Sequence, residues 1–228
     1  KSLNTLDKVI KFSKSKEINK GRLIYCPPYT LLSSFSKKFK NCQIGIGGQN
    51  CHESKTYGSF TGFVNAKMLR NIGAQFVIIG HSENRKKGET DRLINLKIKS
   101  AIESKLKVIF CIGETSTEKR KKKTNSILSK QIKLGLKKIR DKSKIFVAYE
   151  PVWAIGTGIV PRSNELFKTV GFIKSKFKGK SPKILYGGSV NPHNIKDLKE
   201  INNIDGFLIG GASQSSKKFI DIVKKTYS

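Results

Sequence analysis

The sequence has few acidic residues, a single methionine, a single tryptophan and no long hydrophobic run. Its 228 residues include 16 Asp or Glu against 46 Lys or Arg, and the formal net charge is +30. No apolar stretch approaches the roughly 18 residues that span a bilayer, and no signal peptide opens the chain. These absences predict a cytoplasmic protein with no membrane partner.

The four cysteines form no CxxC pair, which argues against both a disulfide framework and a zinc site. Cys26 and Cys111 lie at the ends of apolar runs, a position that predicts buried thiols in a reducing compartment. We therefore expect no metal site and no metal cofactor.

The excess of positive charge raises the question of a nucleic-acid partner. Thirty-nine of the basic residues are Lys, spread over nearly every segment, and seven are Arg. Specific nucleic-acid readers favour Arg for bidentate contacts and interleave it with aromatic residues. The even spread of Lys is more typical of a solvated surface, so we expect no nucleic-acid partner. A basic, catalytically inactive protein that binds polyanions is the alternative, and retention on immobilised RNA at physiological salt would favour it.

Short apolar runs recur along the chain, each bounded by Gly, Pro or polar residues. They show almost no alternation, which is typical of strands buried on both faces of a parallel sheet. Segments with apolar residues at three- and four-residue steps lie between them and predict helices. The seven runs are Leu23 to Cys26, Cys42 to Ile46, Phe76 to Ile79, Val108 to Ile112, Ile145 to Tyr149, Ile184 to Tyr186 and Phe207 to Ile209.

Strict alternation of helix and strand indicates βαβ units, in an open sheet or a closed barrel. No GxGxxG follows the first strand and no linker divides the chain, so a single α/β domain over residues 1–228, a (β/α)8 barrel, is favoured. Barrels of this class need about 250 residues. Because the chain begins in a helical segment, we expect it to be truncated at its N-terminus and to lack the first strand.

Catalytic residues of such a barrel follow the C-terminal ends of its strands. Glu150 directly follows the fifth run, where partial desolvation would raise its proton affinity and suit a general base. A strand-end Glu paired with a surface Lys is the alternative. His81 follows the third run at an expected helix start, where the helix dipole keeps the imidazole neutral as a hydrogen-bond donor.

Glycine pairs follow the last two strands, at Gly187–Gly188 and at Gly210–Gly211. Such pairs free main-chain N–H groups to point at an anion, and a following helix adds its positive end. Tight turns without a ligand are the alternative for either pair alone. Two pairs on adjacent strands predict a phosphate site.

Five ordered motifs resemble the triosephosphate isomerase family. The similarity implies a TIM barrel without cofactor, an enzyme of glycolysis and gluconeogenesis that acts as a cytoplasmic homodimer. Its reaction would interconvert dihydroxyacetone phosphate and glyceraldehyde 3-phosphate through an enediolate. A sugar-phosphate epimerase is the nearest enzymatic alternative, but that class usually needs metal ligands. The motifs are IIGHSENR at 78–85, FCIGET at 110–115, AYEPVWAIGTG at 148–158, YGGSVNP at 186–192 and DGFLIGGAS at 205–213.

The resemblance also implies a role for each matching residue. Glu150 would remove the proton, neutral His81 would polarise the carbonyl, and Glu83 would belong to the same catalytic group. Thr61, in the long loop Gln49 to Gly62, would reach towards the active site of a second subunit. The main-chain N–H groups that would hold the phosphate belong to Gly156, Ser189, Gly210 and Gly211, and the lid would include Pro151, Val152, Trp153, Ala154, Ile155, Thr157 and Gly158.

Three departures from the family pattern affect these expectations. The family's first strand supplies an Asn and a Lys, and without them we expect this chain to have little activity. Phe63 and Asn84 stand where the family commonly places an ion pair at the subunit contact. Pro161 stands at a lid hinge whose N–H normally bonds to the tyrosine of YGGS, here Tyr186, and proline has no N–H. We therefore expect lid closure to rely on Ser189.

Overall fold

A parallel sheet is the centre of the fold. The computed structural model describes residues 2–14 and 21–227. In this part of the chain, seven strands form one sheet in chain order, and every neighbouring pair is parallel. The strands are β1 (Leu23–Tyr25), β2 (Ile44–Gly48), β3 (Phe76–Ile79), β4 (Lys107–Ile112), β5 (Ile145–Tyr149), β6 (Lys183–Tyr186) and β7 (Gly206–Phe207).

Helices precede, connect and follow these strands. The predicted helical segments around residues 6–10, 94–102, 166–177 and 219–223 each coincide with a described α-helix. The described α-helices are α1 (Ser2–Ser13), α2 (Tyr29–Phe39), α3 (Ala66–Asn71), α4 (Ser82–Lys86), α5 (Asp91–Glu103), α6 (Ser116–Arg120), α7 (Thr124–Gly135), α8 (Ser163–Ser175), α9 (Ile195–Lys199) and α10 (Ser216–Tyr227).

The second strand lies two residues further along the chain than its apolar run predicts, because its glycines belong to the pairing. A Cβ on Gly47 would lie 2.8 Å from the sulfur of Cys26, and one on Gly48 would lie 2.7 Å from a methyl group of Leu69. Glycine therefore permits β2 to approach β1 and α3 closely. The third and fifth strands have the predicted bounds.

Side chains of the strands enter two layers. One small cluster contains Phe76, Ile78, Ile109, Cys111 and Ala148, all buried. The alternate residues of the same strands belong to the main core between sheet and helices. Each central strand is therefore buried on both faces, which explains why its sequence shows almost no alternation.

The described sheet has the seven strands that the seven apolar runs predicted, and within residues 21–227 no strand pairing joins β7 to β1. On this side α1 packs against α10, and the hydroxyl of Tyr25 donates a hydrogen bond to the carbonyl of Ser213. A missing first strand is not confirmed by this sheet. Within the described residues, no helix has the length and apolar character needed to cross a membrane.

Candidate active site

Glu150 and His81 meet at the C-terminal edge of the sheet, although they are 69 positions apart in sequence. Oε1 of Glu150 lies 3.3 Å from Nε2 of His81, and the carboxylate side chain is 3% exposed. Each residue lies just beyond the end of its strand, and the parallel register brings both ends to one edge. The predicted acid–imidazole pair therefore occupies one cavity, which both residues line.

The surroundings of Glu150 raise its proton affinity. Burial raises the pKa of the carboxyl above its ordinary value of 4.5, and His81, the N–H of Ser82, the thiol of Cys111 and Arg85 oppose this effect. The N–H of Ser82 donates to Oε2 at 3.3 Å, a long bond. A buried carboxylate with long, weak donors is a competent proton acceptor.

The backbone around Glu150 is crowded, and glycines make room for it. A Cβ on Gly113 would lie 1.8 Å from the carbonyl oxygen of Glu150, and one on Gly187 would lie 2.9 Å from its Cγ. The N–H of Glu150 donates to the carbonyl of Ile112 at 2.7 Å. Glycine directly after each neighbouring strand thus leaves room for Glu150 at this position.

The hydrogen bonds of His81 are those of a neutral ring. Its Nδ1 accepts a hydrogen bond from the N–H of Glu83 at 3.3 Å, which assigns the ring proton to Nε2. Nε2 then faces Glu150 as a donor. The Glu83 carboxylate is 79% exposed and lies 4.0 Å from Nδ1, so it is a peripheral member of this group.

The predicted phosphate residues line the same cavity as the acid and the imidazole. Gly156 belongs to the segment after β5, Ser189 follows β6, and Gly210 and Gly211 follow β7. A Cβ on Gly156, Gly210 or Gly211 would meet no atom within 4 Å, so open space lies beside each backbone. The structure thus brings the residues that the family resemblance implies to one edge of the sheet.

Ser189 bonds to the segment that follows Glu150. The hydroxyl of Ser189 donates to the carbonyl of Ala154 at 2.7 Å and accepts from the N–H of Gly158 at 3.1 Å. Val152–Ala154 forms a 3₁₀ turn, and Gly156 and Gly158 have φ of 71° and 77°, a region that favours glycine. Ser189 therefore contacts the predicted lid at both ends of its tip.

The indole of Trp153 is fixed by residues that the sequence analysis did not assign. Its Nε1 donates to Glu114 at 2.8 Å, and Glu114 also accepts from the hydroxyl of Tyr149. Burial raises the pKa of the Glu114 carboxyl. Nζ of Lys119 lies 3.5 Å from the centre of the Trp153 ring and 2.5 Å from a carboxylate oxygen of Glu165.

The environment of Tyr186 agrees with the proline at position 161. The hydroxyl of Tyr186 is buried and has no hydrogen-bond partner among the described residues. Its ring is fully buried, and burial raises the pKa of the phenol. This is the tyrosine of YGGS, and it is consistent with a proline at position 161 that offers no N–H.

Aromatic side chains of the loop Gln49 to Gly62 and of Phe63 lie at the surface. Tyr57, Phe60 and Phe63 are 52%, 43% and 61% exposed. The ring of His52 stacks on both Phe60 and Phe63, at centroid distances of 4.8 and 4.7 Å. Thr61 is exposed between them. Within the described residues, no three His, Cys, Asp or Glu side chains cluster as metal ligands.

Several neighbours of the site lay outside the sequence-based prediction. Arg85 donates to the carbonyls of Gly80 and Cys111 and pairs with Asp91 at 2.7 Å, which fixes the strand ends beneath His81. Glu114 and Arg85 both lie within the family motifs FCIGET and IIGHSENR, and these motifs could have marked them as neighbours of the site. Lys119 and Tyr25 carried no such signal.

Comparison with known proteins agrees with the geometry of the site. A family model described as triosephosphate isomerase matches residues 1–226. The triosephosphate isomerase of Thermodesulfovibrio yellowstonii is 42% identical over 98% of this chain and 92% of its own length. That of Nostoc punctiforme is 40% identical over 91% of this chain and 86% of its own.

A solved structure agrees as well. The crystal structure of triosephosphate isomerase from Bartonella henselae superposes with a TM-score of 0.87 at 34% identity, and covers 97% of this chain and 91% of its own. Because the family model matches from residue 1, the expectation of a missing N-terminal strand is not supported. The chain belongs to the triosephosphate isomerase family and is an isomerase that interconverts dihydroxyacetone phosphate and glyceraldehyde 3-phosphate.

Proposed function

We propose that Glu150 is the general base and His81 the neutral electrophile of this isomerisation. The observation that supports the assignment is the 3.3 Å separation of Oε1 of Glu150 from Nε2 of His81 in one cavity. Burial of the carboxylate, which raises its pKa, favours proton removal over ion pairing at the surface.

The proposed steps move one proton between neighbouring carbons. Glu150 takes a proton from the carbon next to the carbonyl, the C–H electrons form the enediolate double bond, and the carbonyl electrons pass to its oxygen. The Nε2–H of His81, which in the free enzyme faces Glu150, donates to that oxygen and transfers protons between the two oxygens. Glu150 then returns its proton to the second carbon. The roles are those that the family resemblance implies.

The main-chain N–H groups of Gly156, Ser189, Gly210 and Gly211 are proposed to hold the substrate phosphate. An enediolate phosphate exposed to water tends to eliminate phosphate, so the intermediate must be kept dry. The segment 151–158, held by Ser189 at Ala154 and Gly158, is the proposed lid. We assign Glu83 a lesser part, as a charge 4.0 Å from His81.

Two variants test the assignment. Glu150→Gln and His81→Gln should each lower turnover by about 10²- to 10⁴-fold. In D₂O, the Glu150 variant should also lose incorporation of deuterium into the triose phosphate. Glu103→Gln, which removes an exposed carboxylate paired with Lys55, is the matched control and should leave turnover unchanged.

The expectation of little activity depended on a missing first strand, which the family model over residues 1–226 does not support, and the same assay measures the activity directly. Deuterium incorporation by Glu150→Gln at the unaltered rate would contradict the assignment of the base. Comparison with the unaltered chain in the same preparation separates a weak enzyme from a wrong assignment.

A second copy of the chain is the proposed partner of the exposed loop. Tyr57, Phe60 and Phe63 leave large aromatic surface in water, and Thr61 lies between two of them. Such an aromatic patch is typical of a protein interface. Light scattering should give the mass of a dimer, and Phe60→Asp should give a monomer. A monomer for the unaltered chain would contradict this proposal.

The remaining assignments follow from family membership. We propose that residues 1–228 act as one barrel domain in the cytoplasm, in glycolysis and gluconeogenesis. The proposed proton transfers use only Glu150, His81 and main-chain amides, and require no cofactor. Activity that survives dialysis against a metal chelator would support this, and its loss would contradict it.

A further inference from the structure

A side chain from the first strand reaches the loop after the last strand. Tyr25 is the final residue of β1, and its hydroxyl donates to the carbonyl of Ser213 at 2.9 Å, across 188 positions of sequence. We infer that Tyr25 is a positioning residue that fixes the phosphate-binding turn at Gly210 and Gly211. This inference rests on the proposed phosphate site.

The turn after β7 is short and has few supports. The N–H and the hydroxyl of Ser213 both donate to the carbonyl of Gly210, at 2.9 and 2.7 Å, which closes the turn on itself. Gly211–Gln214 is a single 3₁₀ turn without a side-chain cap. Among the described residues, Tyr25 supplies the side-chain hydrogen bond that ties this turn to another element.

The ring of Tyr25 is itself fixed. It packs against Phe35 and Phe39 of α2 and against Phe219 of α10, at centroid distances of 5.7, 6.2 and 5.9 Å. Burial raises the pKa of the phenol, so the hydroxyl remains a donor at neutral pH. The ring is therefore held between β1, α2 and α10, and its hydroxyl fixes the position of the Ser213 carbonyl.

This position matters because main-chain donors act only when they are held in place. Gly210, Gly211 and Tyr25 line one cavity, and open space lies beside both glycines. Loss of the Tyr25 bond would free the turn and reduce its preorganisation for an anion. Glu150 and His81 follow β5 and β3, so the proton transfer itself would not be affected.

Tyr25→Phe, which keeps the ring, tests the inference. KM for glyceraldehyde 3-phosphate and the dissociation constant of inorganic phosphate should both rise about two- to tenfold, the range for one net hydrogen bond. The activity of the variant towards glyceraldehyde, which has no phosphate, should equal that of the unaltered enzyme. Tyr29→Phe is the matched control, because its hydroxyl donates to the carbonyl of Asn50 away from this turn.

A merely structural role would lower activity towards both substrates alike, and that result would overturn the inference, as would an unchanged phosphate dissociation constant. Calorimetry with inorganic phosphate measures the effect without turnover, so failure of the proposed reaction is distinguishable from failure of the inference.

A second variant tests the inference if Tyr25→Phe folds poorly. Incorporation of 3,5-difluorotyrosine at position 25 keeps the ring and makes the hydroxyl more acidic. Phosphate affinity relative to the unaltered enzyme should then fall as pH rises through titration of that phenol, because the donor is lost. A ratio that is independent of pH would overturn the inference.

Discussion

Removal of one hydroxyl, in Ser189→Ala, should loosen the lid. Ser189 donates to the carbonyl of Ala154 at 2.7 Å in a partly buried bond and accepts from the N–H of Gly158 at 3.1 Å in an exposed one. A net hydrogen bond contributes about 0.5–1.5 kcal/mol, and water competes more for the exposed bond. If the two together stabilise the closed lid by about 1.4–2 kcal/mol, kcat/KM should fall about 10- to 30-fold.

The single tryptophan gives this variant an independent measurement. Trp153 lies in the proposed lid and is the one tryptophan of the chain, so its fluorescence reports on this segment alone. Inorganic phosphate should change the emission of the unaltered enzyme, and the change should be smaller in Ser189→Ala. Ser175→Ala, whose hydroxyl bonds to the carbonyl of Phe172 on α8, is the control. Turnover within twofold of the unaltered enzyme would refute the assigned role of Ser189.

Three further variants test the energetics of the site. Glu150→Gln should raise stability at pH 7 to 8. A carboxyl whose pKa is higher in the folded than in the unfolded protein destabilises the fold as pH rises through the folded pKa. Thermal unfolding at pH 4, where the Glu150 carboxyl of the folded protein is protonated and neutral like the Gln amide, should show no gain. Tyr186→Phe removes a buried hydroxyl without a described partner and should raise stability by about 1 kcal/mol, and a loss of stability would indicate a partner outside the described residues. Lys119→Met removes the cation over Trp153 and the pair with Glu165, and should lower kcat/KM by about two- to tenfold; unchanged kcat/KM and Trp153 emission would show that Lys119 does not position the lid.

The central part of the fold was predictable because strands buried on both faces are continuous apolar runs in the sequence. Phe76–Ile79 and Ile145–Tyr149 have the bounds that their apolar runs predicted. The second strand was misplaced by two residues because Gly47 and Gly48 contribute pairing and close approach but no hydrophobic signal. The number of strands in the described residues was predictable, because a strand buried on both faces is a continuous apolar run, and seven such runs occur.

The proximity of Glu150 and His81 was predictable for a geometric reason. In a parallel sheet all C-terminal strand ends lie on one edge, so residues that directly follow strands are brought together whatever their distance in sequence. Glu150 and His81 obey this rule and lie 3.3 Å apart. Glu83 was placed in the same group, but its side chain points into solvent and is 79% exposed.

The sequence by itself predicted the parallel α/β architecture and the edge of the sheet at which Glu150, His81 and the glycine turns lie. Only the tertiary structure decided that Tyr25 bonds to Ser213 and that Lys119 lies over Trp153. The physical reason is that strand burial and turn chemistry are local properties of the chain. A contact between groups far apart in sequence depends instead on angles and distances that are fixed when the whole fold packs.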